Sequence, residues 1–196
     1  MSADISFNGQ IISEGAFSSL LHDLTNETEI SSLDLSGTNT VGLRLMMIAS
    51  ALKGNTTLQS LRLGRNSMKQ EEVETLVDAL LGTNIVFLDL SQSLIDIHTI
   101  NPIKRLIQQS TKLQFLDVSG NLWGDRATEV IEALREGNAL TSVDLSGNQI
   151  SDAGIQVLVS VIESNWRLTK VFTELVCDGE DCAPAIHPDV LVALRH

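Results

Sequence analysis

Apolar residues recur along the chain at a spacing that a lone strand or a lone helix does not explain. In "LTSVDLSGNQI", residues 140–150, aliphatic side chains stand at Leu140, Val143 and Leu145, followed by Asn148 and Ile150. Related stretches begin at positions 2, 30, 58, 85, 113, 140 and 168, so the period is 27 or 28 residues throughout. A period held this closely indicates a solenoid, in which one structural unit stacks on the next.

Each unit divides into an extended half and a helical half. The first half, L-x-x-L-x-L, alternates apolar and polar residues and predicts a short β-strand. The second half, as in "EEVETLVDALLGTN", places Val73, Leu76, Val77 and Leu80 on one face of a helix. Because one strand and one helix cannot cover their own apolar faces, each unit must be buried by its neighbours.

This repeat resembles the leucine-rich-repeat family in its long-repeat, ribonuclease-inhibitor-like form. The residues that carry the resemblance, with equivalents in the other repeats, are Leu58, Leu61, Leu63, Asn66 and Met68. The resemblance implies an α/β solenoid that is curved, with parallel strands on the concave face and helices on the convex face. We expect a single domain over residues 1–196, with about seven repeats and a C-terminal cap at 177–196 made of a long loop and a short helix.

Polar and aromatic residues at fixed repeat positions lead to further predictions. We expect the side chains of Asn66, Asn121 and Asn148 to be buried and to hydrogen-bond backbone groups of the turn after each strand. Trp123 occupies a position that holds Ile or Met in other repeats, which predicts a core side chain. Trp166 is expected to pack beneath the C-terminal cap.

Residues between the buried aliphatics of each strand should face outward on the concave surface. Since adjacent parallel strands lie about 4.8 Å apart, equivalent residues form lateral rows. One row predicts an acidic ladder of Asp89, Asp117 and Asp144, and the neighbouring row predicts an exposed pair of Phe87 and Phe115.

These rows predict a partner-binding site on the concave face. Its predicted residues are Phe87, Phe115, Asp89, Asp117, Asp144, Asp34 and Arg62. Closely spaced carboxylates would attract a basic partner, and exposed neighbouring aromatics often anchor interfaces. As an alternative, "LDLS" is ordinary in such repeats, so the Asp row can be mere solvated surface. Arg62 is expected to pair with Asp34 or Asp89 in a structural role.

Composition narrows the class of partner. The chain has 196 residues, 43% of them hydrophobic, which is enough for a core without disulfides. Its net charge of −12 argues against nucleic acid and against an anionic membrane surface as partners. The first residues lack the features of a signal peptide, and no run approaches the roughly 20 apolar residues of a membrane span. We therefore expect a cytoplasmic protein.

The sequence offers little for catalysis or metal binding. It contains no phosphate-binding Gly-rich loop, no H-E-x-x-H and no nucleophile elbow. Cys177 and Cys182 are too few for a disulfide framework, and a reversible disulfide or a zinc site with His187 are the alternatives to free thiols. We expect no enzyme activity, no cofactor, no metal and a monomer.

The predicted function is a non-enzymatic protein–protein interaction module that binds another protein, with a basic surface, on its concave sheet. Two alternatives rest on the use of similar repeats elsewhere. One is a regulator of an enzyme or of the cytoskeleton, similar to repeat-containing GTPase-activating proteins or tropomodulin-like domains. The other is an effector of a pathogen or symbiont.

Overall fold

A computed structural model describes residues 3–26, 29–136, 139–178 and 181–194 of the chain. For 175–178 and 181–183 it describes the backbone alone.

Seven short strands form one parallel sheet in which spatial order follows chain order. The strands are β1 (Ala3–Ser6), β2 (Ile30–Asp34), β3 (Ser60–Arg62), β4 (Phe87–Asp89), β5 (Phe115–Asp117), β6 (Ser142–Asp144) and β7 (Lys170–Phe172). Each begins within two residues of a predicted repeat start, because the aliphatic spacing that defines the repeat also defines the strand. This architecture confirms the predicted α/β solenoid of leucine-rich-repeat type.

Helices connect successive strands and lie against the sheet. They are α1 (Glu14–Thr25), α2 (Leu43–Leu52), α3 (Gln70–Leu80), α4 (Ile100–Gln109), α5 (Ala127–Ala133) and α6 (Asp152–Ser164). Short 3-10 helices at Ile97–Thr99 and Gly124–Arg126 precede α4 and α5. Each helix packs on its neighbour, so the core extends from repeat to repeat. No helix in the described ranges combines the length and apolarity that crossing a bilayer requires.

The strand register determines which side chains enter the core. In the middle of the sheet, Leu61, Leu88, Leu116 and Val143 follow one another across the strands and are fully buried. The residues on either side of each point to the opposite sheet face, away from the helices. We call this the concave face, after the geometry of the repeat family. Trp123 is buried among the core residues, as predicted.

Buried asparagines brace the turns that follow the strands, as predicted. The Asn66 side-chain amide donates to the carbonyls of Leu35 and Leu63, both at 2.9 Å, and its oxygen accepts from the Thr40 amide at 2.9 Å. Asn121 and Asn148 likewise donate to carbonyls of their own repeat and of the preceding one. These bonds satisfy backbone groups inside the stack, where water cannot reach them.

The C-terminal segment differs from the predicted long loop. It forms an antiparallel hairpin of β8 (Glu174–Asp178) and β9 (Asp181–Ala185), followed by α7 (Pro188–Ala193), which packs on α6. The Thr173 amide donates to the Ala185 carbonyl at 2.9 Å, which ties the hairpin to the end of β7. We propose, as the sequence predicts, that this segment caps the last repeat.

Candidate functional site

The parallel register aligns equivalent concave-face residues of neighbouring repeats. Phe87 pairs with Phe115 across β4 and β5, and Asp117 lies between Asp89 and Asp144 in the adjoining row. All five flank the buried residue of their strand, which turns them away from the core. The two rows therefore lie side by side on repeats 4 to 6.

The two phenylalanines form a parallel stack on this face. Their ring centroids lie 4.6 Å apart with an interplanar angle of 2°. The Arg62 guanidinium covers the other side of Phe87, 4.5 Å from its ring centroid, and donates to Ser60 Oγ at 3.2 Å. Both phenylalanines remain partly exposed. The stack therefore runs cation, ring, ring across three strands.

Arg62 differs from its predicted structural role. Instead of an ion pair with Asp34 or Asp89, its described contacts are with Phe87 and Ser60. Register places Arg62 between Asp34 and Asp89, so Asp34 is separated from the acidic ladder. The cation–π contact is available because Phe87 offers a flat face at the strand spacing.

The aspartates of the ladder have a structural task that the sequence reasoning did not assign. Oδ1 of Asp89, Asp117 and Asp144 accepts a hydrogen bond from the backbone amide two residues further on, at 2.8 to 2.9 Å. Asp34 does the same with Ser36. This local bond holds the chain as it leaves each strand. The repeated D-x-S spacing is the signal that could have revealed it.

Asp144 is less accessible than a surface ladder requires. Its exposure is only 4%, and it accepts bonds from both the amide and the hydroxyl of Ser146. The accessible part of the acidic row is therefore centred on Asp89 and Asp117, both partly exposed. Asp144 contributes its charge from below the surface.

Asp117, the middle residue of the row, has a strongly perturbed acidity. Its pKa is raised from 3.8 to about 6, mainly by burial; the neighbouring Asp89 and Asp144 charges contribute to this rise, and hydrogen bonds from Ser119 oppose it. At neutral pH the side chain is mostly ionised in a partly desolvated position. A nearby cation would therefore stabilise its charged form.

Exposed aliphatic side chains on the loops after β4 and β5 were not predicted. Leu94 and Leu122 occupy the same repeat position and are 56% and 53% exposed. The two loops adjoin, since the Leu122 amide donates to the Ile95 carbonyl at 3.1 Å. Leu94 also has a φ of 54°, which is rare for leucine. The same position holds Asn39 and Ser67 in repeats 2 and 3, so comparing repeats position by position could have found the pair.

Other sequence hypotheses fall outside the concave face. Trp166 does not pack beneath the cap: it is 81% exposed, with the Arg167 guanidinium 4.7 Å from its ring centroid. His187 Nδ1 accepts from the Asp189 amide at the start of α7. The side chains of Cys177 and Cys182, and with them the disulfide and zinc hypotheses, lie outside the described residues. Across the described side chains, no group of three or more His, Cys, Asp or Glu could hold a metal ion.

Comparison with known proteins supports the fold. Residues 138–159, which include β6 and the start of α6, match the family described as Leucine Rich repeat. The tropomodulin C-terminal domain of Caenorhabditis elegans has a similar structure, with a TM-score of 0.61 at 17% sequence identity over 77% of this chain and 91% of that chain. Actin-binding site 2 of leiomodin-1 aligns at a TM-score of 0.48 and 12% identity, covering 83% and 80% of the two chains.

A search of curated protein sequences finds no significant match. The likeness to tropomodulin, at its low sequence identity, shows the fold alone. The matched repeat, its recurrence along the chain and the seven parallel strands agree with one another. The chain therefore has the fold of a leucine-rich-repeat solenoid.

Proposed function

We propose that this chain is a non-enzymatic protein-interaction module that binds a partner protein with a basic surface on its concave face. The observation that carries the proposal is the partly exposed stack of Phe87 and Phe115. The repeat does not need these rings, because Ser32, Ser60 and Ser142 occupy the same position in other repeats. Neighbouring partly exposed aromatics are typical anchors of protein interfaces.

The charges around the stack support a basic partner. Asp89 and Asp117 lie next to the rings, and Asp144 adds a third carboxylate to the row. Like charges at strand spacing repel one another, and a cationic partner would relieve that repulsion. The net charge of −12 would also favour approach of a basic protein at low salt. Asp34 and Arg62 extend the proposed contact area towards repeats 2 and 3.

Affinity capture with quantitative mass spectrometry tests this proposal. The bait would be the full chain, compared with a Phe87→Ser/Phe115→Ser variant that copies the serines of the other repeats. Trp166→Ser is the matched control, because it removes an exposed aromatic away from the concave face. We expect the specific partners to be lost with the double variant and kept with the control. Unchanged recovery of every partner by the double variant would contradict the proposed face.

The identified partner then permits a quantitative test. Calorimetric titration with the purified partner should show at least about tenfold weaker binding to the double variant, as expected for loss of an aromatic anchor. Thermal unfolding of both proteins provides the control for folding. A cytoplasmic location and a monomeric state stay predictions that fractionation and light scattering can check.

A further inference from the structure

The stack of Arg62, Phe87 and Phe115 ends differently on its two sides. On the β3 side, the Arg62 guanidinium lies on Phe87 and donates to Ser60, the residue that pairs with Phe87 in the register. On the β6 side, Phe115 pairs with another serine, Ser142. In the described structure no ring or guanidinium is stacked on this second face of Phe115.

Sequence explains why no internal guanidinium lies on the β6 side. Strand β3 reads Ser60-Leu61-Arg62, whereas β6 reads Ser142-Val143-Asp144. The residue that would supply the stacking cation in β6 is therefore a carboxylate. Together with Asp117 in the adjacent strand, it places two negative charges beside the position that a guanidinium would occupy.

Ser142 lacks a hydrogen-bond partner for its side chain in the part of the chain that the structure describes. It is 7% exposed, and its Oγ is buried without a hydrogen bond to any described group. Buried hydroxyls usually find a partner, and an unpaired one has an energetic cost. The register turns this side chain to the concave face, in the row that contains Phe115 and Lys170. Its hydroxyl is thus an unused acceptor next to the unstacked ring.

We propose that the position above Ser142, between Phe115 and β7, accepts an arginine side chain of the partner protein. The guanidinium would stack on Phe115 as Arg62 stacks on Phe87 and face the partly exposed Asp117 with its outer N–H groups, above the buried charge of Asp144. It would donate to Ser142 Oγ, as Arg62 donates to Ser60, once rotation of the serine side chain brings this oxygen to the surface. We refer to this position as the arginine slot. The inference rests on the proposed function and specifies which chemical group the face recognises.

Physical chemistry favours arginine over lysine in the arginine slot. A planar guanidinium can stack on a ring and bond carboxylates through two parallel N–H groups, whereas an ammonium is a compact, strongly hydrated charge. The exposed Lys170 on β7 adds one positive charge to the edge of the slot. Asp117 and Asp144 carry two negative charges when ionised, so the surroundings still favour a cation. Burial disfavours the charged form of Asp117 and raises its pKa to about 6, and a cation beside it would stabilise that charged form.

Nuclear magnetic resonance of the full chain tests the arginine slot directly. The probe is the peptide Ac-Gly-Arg-Gly-NH2, compared with the same peptide containing lysine or the neutral isostere citrulline. We expect localised chemical-shift changes at Phe115, Ser142 and Asp144 with the arginine peptide, and binding at least about fivefold weaker with lysine. Shift changes spread over all acidic side chains, or equal for arginine and lysine, would overturn the proposal.

Variants sharpen this test. Ser142→Leu fills the slot and Asp117→Asn removes a charge while keeping an acceptor for the Ser119 amide; both should reduce the localised response at least about fivefold. Ser32→Ala, at the equivalent position of repeat 2 and outside the stack, is the matched control and should leave the response unchanged. The dispersion of amide signals verifies folding of each variant. A response that survives both Ser142→Leu and Asp117→Asn contradicts the slot.

The failures of the two proposals can be told apart. If the partner loses affinity for the Phe87→Ser/Phe115→Ser variant but the arginine peptide gives no localised shifts, the face binds a partner and the arginine slot is wrong. If the peptide response is localised at Ser142 while the double variant captures every partner unchanged, the slot stands and the proposed function is wrong.

Discussion

In repeats 2 and 3 the concave face presents Ser32 and Ser60, whereas repeats 4 and 5 present Phe87 and Phe115 at the same positions. The difference extends to the loops that follow, where Asn39 and Ser67 give way to the exposed Leu94 and Leu122. The buried positions show no such difference, since the central strand residues are aliphatic in all four repeats.

This comparison separates the residues of each repeat that build the solenoid core from the residues that are free to vary. Burial constrains the central leucines, because each must be covered by the next repeat. Nothing in the core requires aromatic or aliphatic side chains at the exposed positions of repeats 4 and 5. The stacked phenylalanines of repeats 4 and 5 mark where the concave face departs from the serines of the other repeats.

The largest expected effect concerns the shared core. Leu61→Ala in repeat 3 and Leu116→Ala in repeat 5 each remove a fully buried side chain, and each should lower the free energy of unfolding by about 3 kcal/mol. Urea titration followed by circular dichroism measures both. A loss in one repeat that greatly exceeds the loss in the other would show that the two regions do not share one framework.

The buried asparagines should show the next largest effect. Asn121→Ala removes an oxygen that accepts from the amides of Ser93 and Ile95 and an amide that donates to three carbonyls, so we expect a loss of about 2 kcal/mol. Asn148 Oδ1 has no hydrogen-bond partner among the described residues, so Asn148→Ala should cost only about 1 kcal/mol. Urea titration of the pair compares them, and an equal loss would contradict the hydrogen-bond account.

Asp117 should make stability depend on pH. Its folded-state pKa is about 6 against an ordinary 3.8, so the folded chain binds the proton more tightly and stability falls as pH rises between those values. The full change corresponds to at most about 3 kcal/mol, and partial solvent exposure reduces our expectation to about 1 kcal/mol. Asp117→Asn keeps an oxygen for the Ser119 amide and removes the titrating charge.

The free energy of unfolding of Asp117→Asn, relative to the natural chain, should therefore increase from pH 4 to pH 7 and level off above it. Urea titrations at several pH values measure this difference, in which the other carboxylates largely cancel. Asp34→Asn, at the separate end of the row, is the matched control. A difference that stays constant with pH would contradict the raised pKa.

The smallest expected effect concerns Leu94. Its φ of 54° suits asparagine, which occupies the same position as Asn39 with a φ of 56° in repeat 2. Leu94→Asn should therefore stabilise the fold by about 0.5 kcal/mol, because the left-handed conformation costs asparagine less than leucine. Thermal unfolding measures the change. A loss of stability would mean that Leu94 serves the fold and is not free to vary.

The sequence predicted most of the fold because one signal is repeated seven times. The aliphatic spacing placed every strand of the main sheet, and the substitution of Trp123 for Ile or Met predicted its burial. The β8–β9 hairpin escaped prediction because "ELVCDGEDCAPA" has little apolar alternation and its strands pair through the backbone. The prediction for Trp166 was wrong because its burial depends on how the C-terminal segment packs. That segment has no counterpart in the other repeats, so comparing repeats gives no information about its packing.

The candidate site was predicted only in outline. The strand pattern was enough to place Phe87 next to Phe115, but not to show that the rings stack or that Arg62 covers one of them. The local hydrogen bonds of the aspartates and the burial of Asp144 depend on the path of the chain after the strand. The sheet face to which a side chain points follows from the alternation of residues along the strand. The exposed fraction of that side chain depends on residues that are close in space but distant in sequence.

The most direct test of the central claim is the affinity of an identified partner for the natural chain and for Phe87→Ser/Phe115→Ser, measured by calorimetry alongside thermal unfolding. We predict at least about tenfold weaker binding with the melting temperature changed by no more than about 4 °C. Equal affinities for the two proteins, both folded, would contradict the claim that repeats 4 and 5 depart from their framework in order to bind.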